Sequence, residues 1–136
     1  MAVFDTTFLI DLMREVRKNQ PGRAQSKFVE LDARGESFAV AVFTIAELLV
    51  GVTKSSRPDI ERQRVESCMK LFDRISSAES TAAIFGELVG RLELSGEAIA
   101  DMDALIASIA LEHGEVLVTR NVKHFARVPG LVVDSY

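Results

Sequence analysis

The residues of this chain best suited to chemistry are oxygen donors: Asp5, Thr6, Glu47, Asp101, Asp103, Thr119 and Asn121. Asp5 closes a short apolar run, and Thr6 follows at once. Glu47 lies just after a second apolar run, Asp101 and Asp103 open a helical stretch, and Thr119 and Asn121 follow Val116-Leu117-Val118. In an open parallel α/β sheet, ligands bind beyond the carboxyl ends of the strands, where these positions fall. Three or four carboxylate or amide oxygens in one pocket make a hard-ligand site that suits Mg²⁺ or Mn²⁺. Such an ion acts as a Lewis acid and activates water. Other chemistries are poorly served. No serine or cysteine nucleophile has a plausible base, and no glycine-rich phosphate loop is present. A single cysteine, Cys68, with His113 and His124 is too few for a zinc site.

Each donor also has an ordinary structural role open to it. Thr44-Ile45-Ala46-Glu47 fits a capping box, in which Glu47 returns a hydrogen bond to the cap. Asp101 or Asp103 suits a helix cap, as does Asp5 for the helix after it. Joint placement at one sheet edge favours the ligand role over these separate ones.

The elements that must position these residues alternate strand and helix. Ala2 to Asp5 reads as a buried strand. Phe8, Leu9, Leu12, Met13 and Val16 recur at helical spacing until Pro21-Gly22, and a second helix runs from Arg23 to Arg34 before Gly35. Ser37 to Val42 is a continuous apolar run of the kind a strand buried on both faces produces, and Thr44 starts a helix through Val52. Further helices are expected over Asp59–Asp73, from Ile84 to near Gly96, and over Asp101–His113. Further strands are expected at Arg74–Ala78, Glu115–Thr119 and Leu131–Asp134. This alternation implies a mostly parallel sheet sandwiched by helices.

Composition agrees with a single α/β domain over 1–136: 48% of residues are hydrophobic and 26% charged. The longest charge-free stretch, Ser37 to Ala46, is ten residues, about half of a membrane span. With no basic lead-in resembling a secretory signal, a cytoplasmic location is expected. The net charge of −4 conceals a polar distribution. Eight acids between Glu79 and Glu115 face the single Arg91, whereas Arg120, Lys123, His124 and Arg127 follow Thr119 with no acid among them. That distribution suits a protein holding cations in one place and phosphates beside it.

Val3-Phe4-Asp5-Thr6-Thr7-Phe8-Leu9-Ile10-Asp11-Leu12 resembles the opening of the PIN-domain ribonucleases, specifically the VapC toxins of bacterial and archaeal toxin–antitoxin pairs. Thr44-Ile45-Ala46-Glu47-Leu48 is similar to their second acidic motif. Asp103-Ala104-Leu105-Ile106-Ala107-Ser108, with Leu117-Val118-Thr119-Arg120-Asn121 and His124-Phe125, resembles their C-terminal block. The four blocks run in order from about residue 2 to 134.

The resemblance implies a PIN fold and makes Asp5, Glu47 and Asp103 the catalytic and metal-binding acids. Thr6 and Thr119 would support them. Asn121 stands where many relatives have a fourth acid, and an amide offers an oxygen without the charge needed for a second cation. Asp101 reads more readily as a helix cap than as a further ligand. The implied activity is Mg²⁺-dependent cleavage of RNA phosphodiesters, in transfer or ribosomal RNA, by a homodimeric toxin that a VapB-type antitoxin neutralises. Arg120, Lys123 and Arg127 would contact RNA phosphates. The competing expectation is a catalytically silent PIN-like module that binds RNA or protein, with Asn121 as its best argument. A receiver-type signalling domain would need a lysine loop opposite a central aspartate, and none is visible.

Overall fold

In the computed structural model, which describes residues 1–136, the strands join one parallel sheet. β1 (Ala2–Phe4), β2 (Phe38–Ala41), β3 (Asp73–Ile75), β4 (Val116–Val118) and β5 (Val133–Asp134) lie in the order β3-β2-β1-β4-β5. The helices are α1 (Thr6–Lys18), α2 (Arg23–Ala33), α3 (Val42–Lys54), α4 (Pro58–Met69), α5 (Glu79–Leu94), α6 (Asp101–His113) and α7 (Val122–Phe125). None is long and apolar enough to cross a membrane.

The central strands β1, β2 and β4 carry only apolar residues, because helices cover both faces of the sheet. Side-chain alternation divides them between two cores. Ala2, Phe4, Val40 and Val118 pack with Phe8, Leu12, Leu48, Val65 and Phe72 from the α1–α4 side. Val3, Ala41 and Leu117 pack with Leu88 and Leu92 of α5 and Ile106 and Ile109 of α6.

The chain winds outward from β1 to β2 and β3, then returns to the other side of β1 for β4 and β5. The winding therefore reverses between β1 and β4, and the crevice beyond their carboxyl ends is the natural ligand site. Phe4 pairs with Val118, so Asp5 and Thr119 are the next residues on adjacent strands.

Several boundaries differ from the sequence reading. β2 ends at Ala41, and α3 begins at Val42 with Ala41 as its N-cap. Thr44 is therefore inside the helix and fully buried, and the expected capping box does not form. α1 stops at Lys18, before Pro21-Gly22, because Asn19 adopts a left-handed conformation (φ 50°) and its N–H bonds Glu15 and Val16 carbonyls. Val16 stays 64% exposed rather than joining the core. Glu15 reaches across this turn to accept hydrogen bonds from the N–H groups of Gly22, Ala24 and Gln25, charging the N-terminus of α2. α7 leaves no mark in the sequence, since four residues are too few for helical periodicity to register.

Candidate functional site

Asp5 ends β1 and caps α1, with only 2% of its surface exposed. Its Oδ1 accepts the Phe8 N–H at 3.0 Å, and the Thr7 hydroxyl lies 2.8 and 2.9 Å from the two carboxylate oxygens. Thr119 Oγ1 donates to Oδ2 at 2.6 Å. Because Thr119 Oγ1 also accepts the Asn121 N–H at 2.9 Å, its own proton is directed at Asp5. Burial raises the Asp5 carboxyl above the usual carboxylate range. The bonds from Thr119, Phe8 and Thr7 partly offset this, and the charge of Asp103 adds to it. Asp5 is thus both the helix cap that the sequence allowed and a buried acid at the switch point.

Glu47 lies in the second turn of α3, half-buried, and accepts a hydrogen bond from the Thr6 hydroxyl in the first turn of α1. Asp103 sits in the first turn of α6, its Oδ2 2.9 Å from His124 Nε2. That contact is close enough for an ion pair when the imidazole is protonated, but it is not aligned as a hydrogen bond. Asp101 opens α6 and is exposed. Ala100 occupies the N-cap and no side chain caps this helix, so the expected capping role of Asp101 is not observed. Asn121 precedes α7 with an exposed side chain that makes no capping bond.

The basic run is less uniform than its sequence suggests. Arg120 Nη1 donates to Asp11 Oδ2 at 2.7 Å, Arg127 donates to the Ala98 carbonyl at 3.3 Å, and Lys123 is exposed without an ion pair. Asp11 was not foreseen as part of the site. Its side chain is 5% exposed and also accepts from Arg14 and, at 2.9 Å, from the Tyr136 hydroxyl. Its signal was an acid placed between Phe8, Leu9 and Leu12 on the buried face of an amphipathic helix.

The donor chemistry fits a hard divalent cation. Asp5 and Asp103 repel one another, and a cation relieves that repulsion along with the cost of burying an ionised Asp5. Asp5, Glu47 and Asp103 are nonetheless not gathered into a three-ligand group: no three His, Cys, Asp or Glu side chains come together closely enough to hold a metal ion between them. Carboxylates are the ligand type that a hard divalent cation takes, with water completing its shell.

Comparison with known proteins agrees with this geometry. The PIN domain family matches residues 2–131. The chain is 32% identical over 108 residues to Ribonuclease VapC2 of Rickettsia felis, covering 79% of this chain and 81% of that protein. It is 25% identical over 119 residues to the tRNA(fMet)-specific endonuclease VapC of Shigella flexneri, covering 88% of each. The crystal structure of VapBC2 from Rickettsia felis, bound to a DNA fragment from its promoter, superposes with a TM-score of 0.88 at 26% identity, over 99% of this chain and 98% of that one. Buried acid at the switch point, sheet order and sequence all lead to one assignment: the chain belongs to the PIN-domain family, among its VapC-type ribonucleases.

Proposed function

We propose that this chain is a Mg²⁺-dependent endoribonuclease, the toxin of a toxin–antitoxin pair, acting on transfer or ribosomal RNA in the cytoplasm as a homodimer. Mn²⁺ is the alternative ion. The observation that carries the reading is the buried Asp5 carboxylate, fixed by donors from α1 and β4 and repelled by Asp103. Asp5 and Asp103 would hold the cation with Glu47 in support, and such an ion would supply water activation and stabilisation of charge on the leaving oxygen. Thr119 and Thr7 orient Asp5, and Thr6 orients Glu47. Asn121 adds a neutral oxygen at the rim, and Asp101 remains an exposed acid available to a second ion. Arg120, Lys123 and Arg127 hold RNA phosphates; Arg120 reaches them from a guanidinium that Asp11 fixes in place.

The VapBC assemblies among the structural relatives support a VapB-type antitoxin as partner. A groove of about 590 Å³ between α1, α2 and α4 suits an apolar antitoxin segment, since Val16, Val29, Ile60 and Leu71 line it and stand 64%, 65%, 42% and 54% exposed. The direct test incubates the purified chain, free of antitoxin, with total transfer RNA and with ribosomal RNA. Discrete fragments are expected with Mg²⁺ and none with chelator. Cleavage that persists in chelator, or in Asp5→Asn, overturns the reading; binding without cleavage favours the silent module.

A further inference from the structure

A second cavity, of about 350 Å³, opens beside Glu47 between α1, α3 and α4. It is too small for a duplex and sits at the lower end of small-ligand sites. The α1 wall carries Ile10, Met13, Arg14 and Arg17, continuing the helix face on which Thr6 bonds Glu47. Arg64 of α4 closes the far side, its charge matched by Glu61 at 2.8 Å. Arg14 is held by Asp11, but that single carboxylate also serves Arg120, so one positive charge of the pair is left over. Arg17 makes no ion pair and is exposed. The cavity thus combines apolar side chains with three arginines, Arg14, Arg17 and Arg64, against two acids, Glu47 and Glu61.

Gly51 forms part of the α3 wall. A Cβ placed there meets nothing within 4 Å, so no packing contact demands glycine, although glycine is the weakest helix former short of proline. Its effect is to leave the channel open.

We infer that this channel seats a nucleotide of single-stranded RNA adjoining the scissile phosphate, with Ile10 and Met13 against the base and Arg14 and Arg17 on the backbone. The inference rests on the ribonuclease reading. It extends the RNA track beyond the basic run that follows Thr119. Asp11 links the cavity to that run, because its one carboxylate holds both Arg14 and Arg120.

The test measures affinity for a short single-stranded RNA across a salt series, in an Asp5→Asn background, with Arg17→Ala, Arg14→Ala/Arg17→Ala and Gly51→Leu. Each lost phosphate contact should flatten the salt slope by about 0.7 and weaken binding about fivefold at 0.1 M salt relative to 1 M. Gly51→Leu should weaken binding at all salt concentrations without changing the slope, because it blocks space rather than charge. Arg17→Ala breaks no ion pair, which keeps the test independent of folding. Unchanged affinity and slope in all three variants overturns the channel. So does weakened binding of the antitoxin by Gly51→Leu with RNA affinity intact, which assigns the cavity to the partner; Gly51 is the discriminating position because Arg17 also lines the groove of α1, α2 and α4. Cleavage by the unsubstituted chain, measured alongside, separates the two failures: unchanged variants with active wild type remove only the channel, whereas an inactive wild type that binds no RNA removes the parent reading.

Discussion

Thr119 Oγ1 donates a 2.6 Å hydrogen bond to Asp5 Oδ2, joining residues 114 positions apart at the ends of β4 and β1. The bond spans the point where the sheet winding reverses, and it holds the most buried acid of the site in a fixed rotamer.

Thr119→Val removes that donor with little change of shape. A hydrogen bond to a charged group contributes about 1.5–3 kcal/mol, so urea unfolding at neutral pH should show a loss of that order. The bond favours ionised Asp5. The loss should therefore shrink as pH falls through the raised Asp5 titration and the carboxyl becomes neutral. An equal loss at pH 7 and pH 4 would mean that Thr119 acts through packing alone.

Asp5→Asn and Asp103→Asn should each abolish cleavage, yet leave the cation-free protein at least as stable as wild type. Burial raises the Asp5 carboxyl, so the unfolded chain releases that proton first as pH rises. Ionised Asp5 then lowers stability above the normal carboxylate range, and the penalty vanishes in strong acid, where both states are protonated. Asparagine keeps the cap to the Phe8 N–H and carries no charge. Thermal unfolding with and without Mg²⁺ checks the pair. Wild type should gain about 2.7 kcal/mol at a hundredfold excess over Kd, and the variants little.

Glu47→Gln separates chemistry from architecture. The capping box that competed for Glu47 is absent, and Gln can still accept the Thr6 hydroxyl. Activity should fall by at least about 100-fold, beyond the range for residues that only orient a ligand. The unfolding midpoint should move by no more than about 0.5 kcal/mol equivalent, as for other substitutions outside the core. Wild-type cleavage rates in this variant would remove Glu47 from the site.

Val16→Asp should weaken antitoxin binding while sparing RNA cleavage. Val16 is 64% exposed and lines the apolar groove of α1, α2 and α4, so a carboxylate there leaves the free chain intact. Central groove positions typically contribute about 1–4 kcal/mol to association, roughly 5- to 1,000-fold in Kd. Titration calorimetry with the cognate antitoxin reads the change directly; undiminished affinity would move the partner to another surface.

The residue types and their order already carried much of this protein. Ala2-Val3-Phe4-Asp5 announces a buried strand ending in an acid, and the fold sets Asp5 at the carboxyl end of the central strand with Thr119 as its neighbour. The alternation of apolar runs with 3.6-residue periodicity indicated the parallel α/β sandwich, because burial on both faces leaves its mark residue by residue. The start of α3 escaped, since Ser37–Ala46 is free of charge and mostly apolar, and one continuous run does not show where strand becomes helix.

Tertiary structure alone decided who meets whom. Thr6 bonds Glu47 across 41 residues, and Asp11 gathers Arg120 and Tyr136 across 109 and 125. Such contacts depend on sheet order and helix placement, which local periodicity does not encode. The same holds for surfaces. Val16 continues an inward-facing pattern, yet no element covers it, because α2 and α4 stand apart there and leave a groove. Local sequence sets which face of a helix is apolar; only the packed chain decides whether that face is core or an open binding surface.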